Sequence, residues 1–184
     1  FYTNDNGAYR DVMRLDPATG RSRVLLKDAR IGDLAFDRAD ASLWGIRTFN
    51  GICTLVRIPA PYTEWKQVYS WEYGETAYDL DVSSDGTRLV VAHAAIDGTQ
   101  TLRVIPVASA LRGDITPEIT FELGTAIPSN FTFSPDGRYL YGSSYYTGVS
   151  NIFRFDLTTR EMEALTNSET GFFQPVVMPD QSLV

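Results

Sequence analysis

Three groups of side chains in this sequence are of the types that chemistry needs. Asp33, Asp79 and Asp81 are carboxylates in short apolar–polar segments. Brought together, three such groups would hold a cation, or would share the acid, base and nucleophile roles of glycoside cleavage. Ser134 and Asp136 lie in a Ser-Pro-Asp-Gly, and Gly142-Ser-Ser precedes Tyr145 and Tyr146. A hydroxyl there would serve as a nucleophile only beside a base that removes its proton. His93 is the one histidine, and imidazole is the side chain whose proton exchanges near neutrality.

Each signal can be tested against the spacing that its chemistry requires. A calcium loop opening at Asp81 would need a carboxylate at its twelfth position, where Ala92 stands. A nucleophile elbow over residues 142–146 would need glycine where Tyr146 stands. A glycosidase-type turn would separate Asp136 from its glycine by one more residue, and Gly137 follows directly. A single imidazole cannot build a His-rich metal site. Nothing in the spacing of Asp33, Asp79 and Asp81 singles out a hydrolytic triad. Cys53 is the only cysteine, which excludes an internal disulfide and a thiolate zinc cluster; in a strand pattern it reads as a small buried apolar residue. No catalytic motif is therefore expected within the chain.

The charge balance is 16 basic against 23 acidic residues, about −7 overall. No basic run tracks a phosphate backbone, so nucleic acid is not an expected partner. A basic partner or a cation fits the acidic balance better. No apolar run is long enough to span a bilayer. No signal-peptide pattern is visible, and the chain opens on Phe1 rather than methionine, which reads as a trimmed N-terminus.

The elements that must position these groups emerge from an internal repeat. Residues 33–36 (DLAF), 79–82 (DLDV) and 130–133 (NFTF) are alternating segments, each followed by a polar turn: DRAD, SSDG and SPDG. Seven residues beyond the last apolar residue stand Leu43, Leu89 and Leu140. The equivalents are 46 and 51 residues apart. A second strand opens at each leucine, and a third follows at residues 55–58, 102–105 and 152–155. The third strand also appears at residues 12–15, and polar turns at 16–26 and 156–165 lead to a fourth. Residues 177–180 begin the cycle again. Four short strands per unit of 45–50 residues is the pattern of a β-propeller blade. Naming the strands a to d from inside out, the chain reads b-c-d, three full units, then a. Helix is expected only as one turn near residues 108–114.

FSPDGRYLYGSS followed by NIFRFDLTTRE resembles the repeat of TolB-like, WD-repeat-like propellers. The match is specific in the fourth unit, fair in the third and degenerate in the second. The resemblance implies a bacterial propeller, periplasmic or otherwise secreted, and often one part of a multidomain protein. The expected fold is all-β: a propeller of four-stranded antiparallel blades, three complete plus parts of another, in one domain over residues 1–184. Its blade parts are 1–30, 31–74, 75–124, 125–175 and 176–184. The two end pieces would complete one blade of a four-bladed ring, or belong to a larger propeller, which is the favoured expectation.

This topology sorts the loops. The a–b and c–d turns share a bottom face, where Asp and Gly are what tight turns require. The b–c and d–a loops share the top face, which gathers Tyr9, Phe49, Trp71, Tyr73, Tyr145, Tyr146, Phe172 and Phe173. Clustered exposed aromatics mark binding surfaces; the alternative is that they fill gaps between blades. In strand a, alternation sends Leu34 and Phe36, Leu80 and Val82, and Phe131 and Phe133 against neighbouring blades. It sends Asp33, Asp79, Asp81 and Asn130 towards the channel mouth, where they either bind a cation or a basic group, or bond between blades. No cofactor is expected beyond such a cation. The expected function is a non-catalytic module that binds a protein or peptide. The alternatives are an accessory or gating propeller of a larger secreted hydrolase or peptidase and, last, a propeller glycoside hydrolase.

Overall fold

A computed structural model of the protein describes residues 1–180 and 182–184. Strands β1 (Tyr2–Asp5), β2 (Arg10–Leu15) and β3 (Ser22–Leu26) form a three-stranded antiparallel sheet in chain order. Three four-stranded antiparallel sheets follow. The first holds β4 (Ile31–Phe36), β5 (Leu43–Phe49), β6 (Ile52–Ile58) and β7 (Lys66–Ser70). The second holds β8 (Thr76–Val82), β9 (Arg88–Ala94), β10 (Gln100–Pro106) and β11 (Ile119–Glu122). The third holds β12 (Pro128–Phe133), β13 (Tyr139–Ser144), β14 (Asn151–Asp156) and β15 (Met162–Ala164). One helical turn, α1 (Val107–Ala110), interrupts the second of these sheets.

These sheets are blades of a propeller. Their inner strands β4, β8 and β12 lie side by side, and β1 takes the place of a b strand in the first blade. Residues 176–180 and 182–184 pair back on each other as a small hairpin, with Val176 and Val184 exchanging N–H···O bonds of 2.9 and 3.1 Å. Among the described residues nothing pairs this hairpin with β1, so the ring is open.

Alternation along each strand feeds two interblade cores. In β9, Leu89 and Val91 pack towards the second blade, while Val90 and Ala92 pack towards the fourth. Both faces of the strand are covered, so its sequence is a continuous apolar run. The layer between the second and third blades centres on Trp44, Leu55, Leu80 and Ile105. Between the third and fourth it centres on Phe121, Phe131, Phe153 and Phe155. Phe36 departs from this rule. It is 42% exposed and stacks on Phe1, with ring centroids 5.7 Å apart. Its end of β4 faces the lower mouth of the channel rather than the next blade.

The bottom-face turns repeat one network. Ser134 Oγ donates to Asp136 (2.5 Å) and accepts from the Tyr139 N–H (2.9 Å), while the Arg138 N–H donates to the same carboxylate (3.1 Å). Ser83, Asp85, Thr87 and Arg88 repeat it, with distances of 2.6, 3.0 and 3.0 Å. The side-chain bond from Ser134 is the main reason that the Asp136 carboxyl sits below the usual carboxylate range. Adjacent turns also interlock: Arg88 donates to the Gly137 carbonyl (2.6 Å) and Ser84 Oγ to the Pro135 carbonyl (2.8 Å). Asp136→Ala is therefore expected to lower stability by about 1 kcal/mol without weakening any top-face binding. Chemical denaturation beside a binding assay checks this, and selective loss of binding would make SPDG a site after all.

Candidate functional site

Each inner strand carries a bulge near its upper end, and this sets the geometry of the channel. Pairing skips Gly32 in β4, skips Asp79 in β8, and slips between Ser129 and Thr132 in β12. Asp79 and Asn130 adopt φ of 45° and 54°, the left-handed region that Asp and Asn tolerate best after glycine. A bulge adds a residue and re-aims its neighbours, so simple alternation does not describe these strands.

Asp33, Asp79, Asp81 and Asn130 do line one axial cleft, of about 350 Å³. Their polar atoms are engaged across the blade boundaries. Asp33 Oδ2 accepts the Asp79 N–H (3.3 Å), Asp79 Oδ2 accepts the Asn130 N–H (2.8 Å), and Asp81 Oδ2 accepts the Phe133 N–H (2.9 Å). Burial raises the Asp79 carboxyl above its usual value, against the Asn130 N–H and helped by the charge of Asp33. Burial likewise pushes Asp81 up to about 6, against the N–H groups of Phe133 and Val82 and the charge of Arg38. Among the described residues no three His, Cys, Asp or Glu side chains are placed to hold a metal ion. These carboxylates couple one blade to the next.

The exposed top-face aromatics separate into four groups. Tyr145 and Phe173, 54% and 57% exposed, approach at 6.1 Å between centroids, with exposed Phe172 beside them. Tyr146 leans edge-on against buried Phe153 at 6.1 Å while half its surface stays open. Tyr73, the most exposed at 76%, lies across Gly51, where a Cβ would stand 2.7 Å from its ring. Gly51 and Asn50 both have positive φ and close the two-residue turn between β5 and β6, which is the reason for Asn-Gly there. Tyr9 and Phe49 sit apart from these, flanking Arg30.

Trp71 belongs to none of the groups, and the expectation that it is exposed is corrected. It is 4% exposed, meets Tyr69 edge-on at 5.5 Å and joins the core between the second and third blades. Its backbone N–H donates to the Cys53 carbonyl (3.0 Å), which turns the residue back along the sheet after β7 ends, while its indole N–H is buried without a protein partner. It fills an interblade gap.

Beneath the top loops runs a polar layer. Arg47, His93 and Ser144 occupy equivalent positions in β5, β9 and β13, opposite Thr54, Thr101 and Asn151. Arg47 Nε, both nitrogens of His93 and Ser144 Oγ are buried without a protein hydrogen-bond partner. His93 is 1% exposed; its Nε2 lies 3.4 Å from Glu75 Oε1 but outside hydrogen-bond geometry. Burial first, and the charge of Arg103 second, lower its pKa despite Glu75, so it is neutral at physiological pH.

Sequence reasoning passed over the arginines at this level. Arg30 lies 3.7 Å from the centroid of Tyr9 and 4.3 Å from that of Phe49, and Arg47 lies 5.0 Å from Phe49 and 4.8 Å from Trp65. The available signal was Arg30 and Arg47 bracketing the ends of β4 and β5, beside aromatic loops.

No protein family matches the sequence, and no curated protein does. Solved structures do resemble the fold. TolB from Acinetobacter baumannii superposes with a TM-score of 0.72 at 13% identity, over 94% of this chain and 41% of that one. An oligogalacturonate lyase in complex with manganese gives 0.66 at 16%, over 94% and 49%. A prolyl endopeptidase gives 0.60 at 17%, over 95% and 26%. The chain thus spans less than half the length of each of these structures. A lyase and an endopeptidase share the architecture with TolB, so the likeness speaks to fold and not to activity. With its SPDG-type turns and four-stranded blades, the chain has the fold of a TolB-like β-propeller, seen as an open array of three complete blades and parts of others.

Proposed function

We propose that this chain is a non-catalytic propeller module that binds a protein or peptide on its top face. The observation that carries the reading is the group formed by Tyr145, Phe172 and Phe173, three large aromatics exposed together on loops of one blade. Aromatics give contact area at low entropic cost and dominate interface energetics. The bottom face, by contrast, uses its polar groups to bind its own turns. Trp71 is not part of the proposed surface. The channel carboxylates contribute to it only indirectly, since their acceptors already serve the next blade.

Placement in the periplasm or another secreted compartment, inside a larger propeller, is part of the same proposal. No helix among the described residues is long and apolar enough to cross a membrane. The prolyl endopeptidase likeness keeps an accessory role beside a peptidase as the second reading, and the reading frame of the parent gene separates the two.

The test is selection of peptides from a displayed library, followed by affinity measurement against Tyr145→Ala/Phe173→Ala. Both side chains are exposed, so stability is expected to stay within about 0.5 kcal/mol. Affinity for the selected peptides is expected to fall at least tenfold. Unchanged affinity for every selected peptide would remove the top face from consideration.

A further inference from the structure

The protein is acidic, yet on its top face between the first two blades three arginines converge with no counter-ion. Among the described residues the ion pairs engage Arg57, Lys66, Arg138 and Arg154. Arg10, Arg30 and Arg47 make none. Arg10 and Arg30 line a cleft of about 370 Å³ together with Tyr9 and Thr48. The one acidic residue in that lining is Asp5, whose Oδ1 already accepts the Gly7 N–H (2.7 Å).

The backbone holds this arrangement in place. Arg30 adopts φ of 59°, an uncommon conformation for a residue of its size. It persists because the Arg30 N–H donates to the Arg10 carbonyl (3.0 Å) and its carbonyl accepts the Thr48 N–H (3.1 Å). The side chain then lies between the Tyr9 and Phe49 rings. Arg47 reaches Phe49 from within the polar layer, its Nε buried and unpartnered. Packing between two aromatic rings holds the Arg30 guanidinium in place and leaves its N–H edge free. Fixed edges of that kind match the two oxygens of a carboxylate. The two cations also repel: burial lowers the Arg47 pKa and the charge of Arg30 lowers it further. A bound anion relieves that repulsion.

We propose that Arg30, held between Tyr9 and Phe49, forms with Arg10 across the cleft and Arg47 behind Phe49 a receptor for a carboxylate of the bound peptide, an acidic side chain next to an aromatic one. The proposal rests on the peptide-binding reading above. It reverses, at this junction, the charge expected of the partner: the channel carboxylates are engaged by neighbouring blades, and the unpaired charge beside Tyr9 and Phe49 is positive.

The experiment follows the arginine Nε–Hε resonances of the protein by NMR during titration with three probes. These are acetyl-Glu-Phe-Glu-amide, acetyl-Gln-Phe-Gln-amide and inorganic phosphate. The glutamate probe is expected to shift the Arg30 and Arg47 resonances to saturation, with affinity falling as salt rises, and the glutamine probe to leave them in place. Arg30→Gln is expected to weaken the glutamate probe at least tenfold, and Arg30→Lys to weaken it less, with the β-sheet circular dichroism of both unchanged. Equal shifts with the glutamine probe, phosphate saturating the site as tightly as the glutamate probe, or no shift with any probe would each overturn the proposal. If Tyr145→Ala/Phe173→Ala leaves library peptides bound while the arginine shifts persist, the aromatic reading fails and the carboxylate site stands.

Discussion

Gly142→Ala is expected to lower the stability of the protein by about 3 kcal/mol, because the space beside it is filled by a buried ring. A Cβ at Gly142 would stand 2.4–2.6 Å from three carbons of the Phe131 ring. Both residues are buried in the layer between the third and fourth blades, and Phe131 also meets Phe155 at 5.1 Å. Overpacking of this kind costs about 1–3 kcal/mol and at times more, and the small entropic gain from losing a glycine does not offset it. The repeat itself supplies the rescue. At the equivalent position in the third blade the pair is Leu80 with Val91, a smaller inner residue beside a larger one on β9. Phe131→Leu is therefore expected to recover much of the loss when added to Gly142→Ala, although alone it leaves a cavity. Urea denaturation of the four proteins of this cycle checks the pairing. A double variant no better than Gly142→Ala would show that the ring is not what the glycine accommodates.

The second large effect is a dependence on pH. The Asp81 carboxyl, raised by burial from 3.8 to about 6, holds its proton more tightly in the folded protein than in the unfolded chain. That preference stabilises the fold fully below about pH 4 and is lost as pH rises through about 6. At neutral pH the ionised group is a burden, worth up to about 3 kcal/mol at about 1.4 kcal/mol per unit. Asp81→Asn keeps an oxygen for the Phe133 N–H and never ionises. It is expected to flatten the stability profile between pH 4 and 7 and to stabilise the protein by about 1–3 kcal/mol at pH 7.5. Denaturation midpoints of the two proteins at pH 4.5 and 7.5 measure this directly. A variant that is less stable at pH 7.5 would mean that the ionised carboxylate strengthens the interblade bond by more than its burial costs.

The architecture was legible because it depends on patterns that repeat. Leu43, Leu89 and Leu140 stand at one distance beyond their inner strands, and Ser83 and Ser134 use one turn network. Placement of individual side chains was less legible. Counting by twos along strand a puts Asp79 and Asp81 on one face, but Asp79 is an extra residue in a bulge. Only its being Asp at φ of 45° hints at this. Trp71 stands in a loop by sequence and in the core by structure, since one backbone bond to Cys53 turns it inward. Loop position fixes where a Cα lies, and tertiary contacts decide where a large ring goes. The arginine stack was invisible for the same reason. Arg30 follows one blade and Arg47 lies inside the next, and no periodicity links residues whose only relation is that two sheets abut.

The carboxylate bonds between neighbouring inner strands run one way. Asp33 serves Asp79, and Asp79 serves Asn130: each blade offers an acceptor forward and a donor back. Such a contact is heterologous, like that between links of a chain, and carries a direction that a symmetric contact lacks. Stability is then a sum over successive junctions rather than the property of one shared core. A blade in the middle answers to two junctions and a terminal one to a single junction. Damage at either end trims the array, whereas damage at Asp79, which is donor to one neighbour and acceptor for the other, divides it.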